Sequence, residues 1–267
     1  KKDGGFNYAT TDIATIDYRV NEQKADEVLY VVDDRQSLHF RQLFEVARRR
    51  GIPTSLKHIA FGKILGDDRK PFKTREGTVP ALGDVLNEAV DRARKIVDEK
   101  NSGLPEDVMS DIAERIGVGA LKYAELSQAR SSDYVFSWEK MLSLQGNTAP
   151  YMINAYVRTR SIFRKLEGTP EYPADTLSIS EEAERVIAMK LCQYGEILPQ
   201  VLCDYRPNLL ASYLYELAQN FHSFYEQCPV LNAKEPSRCT RIALCDTTSS
   251  VLRHGLDLLG ISPPERM

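Results

Sequence analysis

A short α/β section followed by a long all-α section is the architecture this sequence predicts, and three observations predict it. An unbroken apolar run, Val28-Leu29-Tyr30-Val31-Val32, ends at Asp33-Asp34, which is the pattern of a buried parallel strand. Apolar residues at helical spacing follow it directly, at Leu38, Leu43, Phe44 and Ala47, giving the β-then-α order of an α/β sheet. After Gly77 the apolar residues recur at helical spacing almost to the end of the chain.

In order, Thr11 can cap a first helix with Asp12 in its first turn and Ile13, Ile16 and Val20 on one face. The strand at 28–32 comes next, then the helix from Leu38, which Gly51-Ile52-Pro53 stops. One strand–loop–helix unit with its flanks is too little for a complete doubly wound domain. The chain also opens Lys1-Lys2-Asp3-Gly4-Gly5 without a methionine, so it reads as a piece of a longer protein with the rest of the sheet upstream. Leu82, Val85, Leu86, Ala89, Ala93, Ile96 and Val97 form one helical face, and Ile112, Ile116, Ala120 and Tyr123 another. Residues 134–142 read as an aromatic helix, and a further helix follows the Gly146-Asn147 turn. After a surface loop at 167–177, three long helices are expected. The first runs from Ser180 through Val201 with Glu181, Glu182 and Glu184 on its N-terminal dipole, the second opens at Asn208, and the third spans Arg241 to Leu259 and stops at Gly260. Tyr213, Leu217, Phe221, Phe224 and Tyr225 point inward from the second of these. Three sections result: 1–75 α/β, 76–130 a connecting helical segment, and 131–267 an all-α bundle.

At 267 residues and 42% hydrophobic content the chain suffices for one large domain or two ordinary ones. A net charge of −3 favours no class of partner, so any nucleic-acid contact must rest on a local patch. Five cysteines without CxxC or Cys/His metal spacing imply reduced intracellular thiols and no metal centre, with Cys192, Cys203 and Cys245 as small core residues. No run approaches the ~18 apolar residues of a membrane span.

Several stretches carry chemistry. Lys70-Pro71-Phe72-Lys73-Thr74-Arg75 puts three fixed cations in a Gly-punctuated loop, a composition suited to neutralising a reacting polyphosphate. Tyr8 and Asp12 lie four apart behind a glycine pair; a carboxylate with a nearby phenol suits a cationic ligand. Gln36 and His39 follow the strand at its carboxyl end, where open α/β sheets bind ligands. Phe61-Gly62-Lys63-Ile64-Leu65-Gly66 leads into the cationic loop. Arg158, Arg160, Arg164 and Lys165 with Tyr151 and Tyr156 interleaved form a basic, aromatic stripe of the kind single-stranded RNA needs.

Together these stretches resemble the class I arginyl-tRNA synthetases. Asp3-Gly4-Gly5-Phe6-Asn7-Tyr8-Ala9-Thr10-Thr11-Asp12 is similar to their DGG-x-x-Y-x-T-x-D segment, Gln36 to His39 to their R-Q-x-x-H segment, and Lys70 to Arg75 to their degenerate KMSKS loop. Tyr134 to Leu142 running into Gly146-Asn147-Thr148-Ala149-Pro150-Tyr151 is the most specific match, and Glu265-Arg266-Met267 resembles the string near which the family's helical domain ends. The resemblance implies the second half of a Rossmann-like catalytic domain followed by a helical-bundle anticodon-binding domain. It implies that Tyr8, Asp12 and Gln36 bind arginine. His39, Gly62, Ile64, Leu65 and Thr74 would line the ATP site, and Lys70, Lys73 or Arg75 would supply the catalytic charge. Tyr151, Asn154, Arg158 and Met267 would contact tRNA-Arg. Two departures matter: Thr74 stands where the pattern has its second lysine, and Asn154 where the family often has a second aromatic. No HIGH-like motif occurs among the four histidines, so these residues alone are expected to be inactive. The implied activity is ATP-dependent arginine activation and transfer to tRNA-Arg in the cytoplasm, by a monomer using L-arginine and Mg2+-bound ATP and no DNA or membrane partner. A non-catalytic helical RNA- or protein-binding module is the alternative reading.

Overall fold

A computed structural model describes residues 4–66, 81–100, 103–166, 170–173 and 176–267. Lys70, Lys73, Thr74 and Arg75 lie outside the described residues. Two compact units result, one built on residues 4–66 with 130–135, the other on 81–129 and 136–267.

In the first unit α1 (Tyr8–Asn21) starts three residues before Thr11. Asn7 is the cap, its side chain accepting from Thr10 N at 3.3 Å, while the Thr11 hydroxyl donates back to Tyr8 O at 3.0 Å. Asp12 therefore lies beyond the first turn, out of reach of the helix N-terminal charge that the sequence pattern suggested. Strand β1 (Glu27–Asp33) pairs in parallel with β2 (Ser55–Phe61), joined by α2 (Ser37–Arg49). The parallel expectation holds; the full burial of the strand does not. Val28 is buried, but Leu29 and Val31 are 41% and 66% exposed, because α2 and α1 pack on one face only. Ile16, Phe40, Leu43 and Ala47 form that face's core, with Leu38 outside it. Gly51 at φ +75° turns the chain out of α2. Strand β3 (Ile64–Leu65) pairs in parallel with β4 (Tyr134–Val135) as a second ladder.

The second unit is all-helical. α3 (Leu82–Lys100) and α4 (Glu106–Leu126) pack closely through Ala89, Ala93, Ile112, Ile116 and Ala120. The aromatic helix expected over 134–142 is instead β4 followed by the single turn α5 (Trp138–Met141), which Ser137 caps through Lys140 N. α6 (Ala149–Arg164) follows. The long helix expected from Ser180 is two: α7 (Glu182–Cys192), opened by a Glu181/Glu184 capping box, and α8 (Tyr194–Asp204). Gly195 and Pro199 weaken the join, since the Pro199 ring cannot donate to the carbonyl of Gly195. α9 (Pro207–Gln227) and α10 (Ser237–Leu258) complete the bundle, α10 starting four residues before Arg241 and ending ahead of Gly260 at φ +70°. Glu184, fully buried, pairs with Arg241 at 2.6 Å and accepts from the Ser180 and Glu181 N–H groups at 2.8 and 3.1 Å. Arg241 also donates to Pro229 O at 2.9 Å, tying α7, α10 and the end of α9 together. Of the cysteines assigned to the core, Cys245 is buried and its thiol is pushed up to about 12, whereas Cys192 and Cys203 are exposed. Those two sit on the outer sides of α7 and α8, where helical periodicity alone does not separate a small core residue from a surface one. Among the described residues, no helix is long and apolar enough to cross a membrane.

Candidate functional site

The first unit gathers candidate ligand groups where α1 meets the carboxyl end of β1. Asp33 caps a 3₁₀ turn (Asp34–Gln36), accepting from Arg35 N at 2.8 Å and from its guanidinium at 2.9 and 2.8 Å; the Arg35 hydrogen bonds hold its carboxyl at about 2. That turn delivers Gln36 as the exposed residue before α2, its side chain making no capping bond, and His39 one turn later. His39 Nε2 lies 2.7 Å from Asp12 Oδ2, so residues from two separate motifs meet in one contact. Tyr8 stands one helical turn before Asp12 and is 85% exposed. Tyr8, Asp12, Gln36 and His39 are thus carried by two adjoining element starts.

Gly62 has a steric reason. Its N–H donates to Arg130 O at 2.7 Å, and a Cβ there would meet Ser132 O at 2.6 Å. Arg130 donates to Ala60 O at 2.7 Å, and Asp133 accepts from Lys63 N at 2.7 Å. Residues 130–135 thereby pin the segment carrying Gly62, Ile64 and Leu65. Sequence reading missed Arg130 and Asp133, which lie some seventy positions along the chain.

In the second unit, the stretch Gly146 to Tyr151 is a helix-entry device. Gly146 takes φ +81°, and Asn147 Oδ1 lies 2.6 Å from the buried Tyr123 hydroxyl. Thr148 caps α6 through Tyr151 N at 3.3 Å, and Pro150 stands in the first turn. Tyr151 is half-buried, edge-on to Tyr215 at 5.5 Å and to His222 at 5.0 Å. Arg158, two turns on, sits over the Tyr225 ring at 5.4 Å. Burial, with the Arg158 charge adding, holds His222 below its ordinary value, so the ring next to Tyr151 is a neutral imidazole at physiological pH. Asn154 lies half-buried between Tyr151 and Arg158 in sequence.

The rest of the expected stripe is not a free basic face. Tyr156 is 1% exposed and donates to Glu265 at 2.5 Å; Arg160 pairs with the same carboxylate at 2.8 Å, and Arg164 donates to Glu265 O at 2.7 Å. Helical geometry puts 156, 160 and 164 roughly opposite 151, 158 and 165, so α6 divides its cations between two jobs. Arg160 and Arg164 secure the segment containing Glu265 and Met267, and Met267 packs half-buried against the helical core. The ring cluster adds Tyr215, His222 and Tyr225 of α9; Tyr225, 38% exposed, is not the inward residue its spacing suggested.

The sequence matches the family tRNA synthetases class I (R), catalytic domain, over residues 1–138, which is more than half the chain. The chain belongs to the class I arginyl-tRNA synthetase family. Residues 152–267 match the DALR anticodon binding domain. The whole chain aligns with the arginine–tRNA ligase of Cellvibrio japonicus at 46% identity and with that of Hahella chejuensis at 49%, covering 47% of each. The Thermus thermophilus arginyl-tRNA synthetase structure matches all of this chain over 50% of its own with a TM-score of 0.87 at 28% identity, and that of Plasmodium falciparum does so over 46% with 0.85 at 31%. The chain therefore spans about half the length of the curated relatives it matches.

Proposed function

We propose that this chain is the part of an arginine–tRNA ligase that recognises the amino acid and ATP on one unit and the tRNA-Arg anticodon arm on the other. The supporting observation is the meeting of Asp12 with His39 at 2.7 Å, which gathers two family motifs, 27 residues apart, at one strand end. Asp12 pairs with the arginine guanidinium, the Tyr8 phenol adds a hydrogen bond and Gln36 a further polar contact. His39, Gly62, Ile64, Leu65 and Thr74 line the ATP site. Lys70, Lys73 and Arg75 neutralise the phosphates, which carry Mg2+ as part of the substrate. The arginine carboxylate oxygen attacks the ATP α-phosphorus, and the bond to the β-phosphate breaks to release pyrophosphate. The tRNA 3′-terminal hydroxyl then attacks the arginyl carbonyl and AMP leaves. Both steps rest on positioning and charge stabilisation, without a protein nucleophile.

In the helical unit Tyr151 and Arg158, with Asn154 between them, present a ring and a cation to the anticodon loop, and Met267 adds an apolar contact. The reading divides the chain into a catalytic piece to about residue 75, a helical connection, and an anticodon-binding domain; the pinning of 130–135 against the first unit favours Phe136 over residue 131 as the start of the last. It also gives a cytoplasmic monomer with no DNA or membrane partner. The test is Asp12→Asn in the intact protein. Loss of a charge-assisted contact costs about 1.5–3 kcal/mol, so the arginine KM rises more than tenfold while the ATP KM holds. An unchanged arginine KM would remove Asp12 from the amino-acid site.

A further inference from the structure

Three of the four histidines of this chain commit a ring nitrogen to the protein. His39 meets Asp12 at 2.7 Å, His58 meets Val32 O at 3.0 Å, and His254 meets the Tyr194 hydroxyl at 2.8 Å. His222 does not. It is half-buried on α9, yet among the described residues neither of its ring nitrogens has a hydrogen-bond partner. Neither nitrogen is sealed from water, since the buried side-chain atoms left without a partner are those of Tyr30, Tyr172 and Asn208. The imidazole is therefore held by aromatic neighbours while its polar atoms stay open to solvent, an uncommon state for a polar group brought below the surface.

The position of the ring decides what those nitrogens can meet. Its centroid lies 5.0 Å from that of Tyr151, at an inclination of 63°, and 6.0 Å from that of Phe221. Tyr215 stands at 60° to Tyr151, so neither neighbour is stacked in parallel on the Tyr151 ring. A base laid on Tyr151 has His222 beside it, within one ring's width. Burial first, and then the Arg158 charge, favour the uncharged imidazole against the opposing pull of Glu226. An uncharged imidazole offers one donor and one acceptor, and an unstacked base carries its identity as donors and acceptors along its edges. Stacking and phosphate contacts, by contrast, tolerate every base, so Tyr151 and Arg158 give affinity without choice.

We propose that His222 is a specificity-determining residue of the RNA surface, its free ring nitrogens hydrogen-bonding the edge of the base that stacks on Tyr151. This rests on the reading that Tyr151 and Arg158 contact the anticodon loop. A matched base satisfies both partners, whereas a base with the wrong edge leaves the imidazole unpaired within the interface. The loss of one such hydrogen bond weakens binding by about two- to tenfold.

The experiment is fluorescence anisotropy with the intact protein and a set of labelled tRNA-Arg anticodon stem-loops, each with one loop base replaced. His222→Phe keeps a ring beside Tyr151 and Phe221 and removes both nitrogens; His222→Leu removes them with a different shape. Two variants are used, with thermal unfolding in parallel, so that a folded one is available. Each folded variant is expected to bind the parent loop about two- to tenfold more weakly than wild type. Its preference for the parent base is expected to vanish at one loop position, the same for both variants, and to persist at the others. Wild-type preferences at every position in a folded variant would overturn the proposal. Equal weakening across all the loops would overturn it too, because that is the signature of lost packing. Should Tyr151→Ala bind the parent loop as wild type does, the stacking role of Tyr151 fails instead, and the two failures are separable.

Discussion

Tyr151→Ala separates a recognition role from a packing role, because the structure gives the residue both surroundings. Its ring is half-buried and meets Tyr215 and His222 edge-on at 5.5 and 5.0 Å. Truncating a fully buried aromatic costs about 3–5 kcal/mol, and each aromatic pair about 0.5–1.5 beyond its buried area. Half burial with two such pairs gives a stability loss of about 2–3 kcal/mol. For a unit of this size that lowers the melting temperature by roughly 4–12 °C. If the exposed part of the ring also stacks on an anticodon base, a second loss appears in RNA binding, about 1–3 kcal/mol, or five- to 150-fold in Kd. Tyr151→Phe keeps the ring and both aromatic contacts, and retains most of both quantities. The assay pairs thermal unfolding with fluorescence anisotropy of a labelled tRNA-Arg anticodon stem-loop, measured well below the melting point of the mutant. A large thermal loss with unchanged RNA affinity would show that Tyr151 belongs to the bundle core and would refute the recognition role.

Three further substitutions test the fold. Arg241→Leu leaves the fully buried Glu184 carboxylate with only its Ser180 and Glu181 donors and costs about 3–5 kcal/mol by thermal or urea unfolding. Burial pushes Glu184 up, but the Arg241 hydrogen bond and the Ser180 and Glu181 N–H groups outweigh it and lower the folded value. The pair's stability is therefore present above the unfolded carboxylate range near ~4.3 and is lost as pH falls through the folded value, a loss that Arg241→Leu flattens. Gly117→Ala and Gly195→Ala are predicted to move the melting temperature in opposite directions. A Cβ at Gly117 would come within 2.7 Å of Ala89 O, and overpacking of about 1–3 kcal/mol exceeds the ~1 kcal/mol gain in helix propensity. At the exposed Gly195 nothing lies within 4 Å of the added carbon, so only the gain remains; a shared sign would refute the close α3–α4 contact.

The parts of this fold legible in the sequence are those set by local periodicity. Ile112, Ile116, Ala120 and Tyr123 mark the inner face of α4, and Leu210, Leu214, Leu217 and Phe221 that of α9, because a helix needs no information beyond its own spacing. Where two local signals compete, the tertiary setting chose. Asn7 and Thr11 are both good caps, and Asn7 prevails once the Thr11 hydroxyl turns back to Tyr8 O. Tyr134-Val135 has the apolar content of a helix start but pairs with Ile64-Leu65, seventy residues away, which no local pattern can announce. The site shows the same division. The family motifs named Asp12 and His39 separately, yet their contact depends on how α1 lies against α2. Arg160 and Arg164 looked free until Glu265 was found beside them, so a basic helix in sequence is a statement about charge and not about availability.

The central claim, that the protein carrying this chain is an arginine–tRNA ligase, is tested most directly by ATP–pyrophosphate exchange and tRNA charging with the intact protein. The account predicts that exchange requires L-arginine over the other amino acids, lysine included, and that tRNA-Arg accepts the arginyl group. Exchange driven better by another amino acid, or arginine failing to reach tRNA-Arg in a folded preparation, would contradict it.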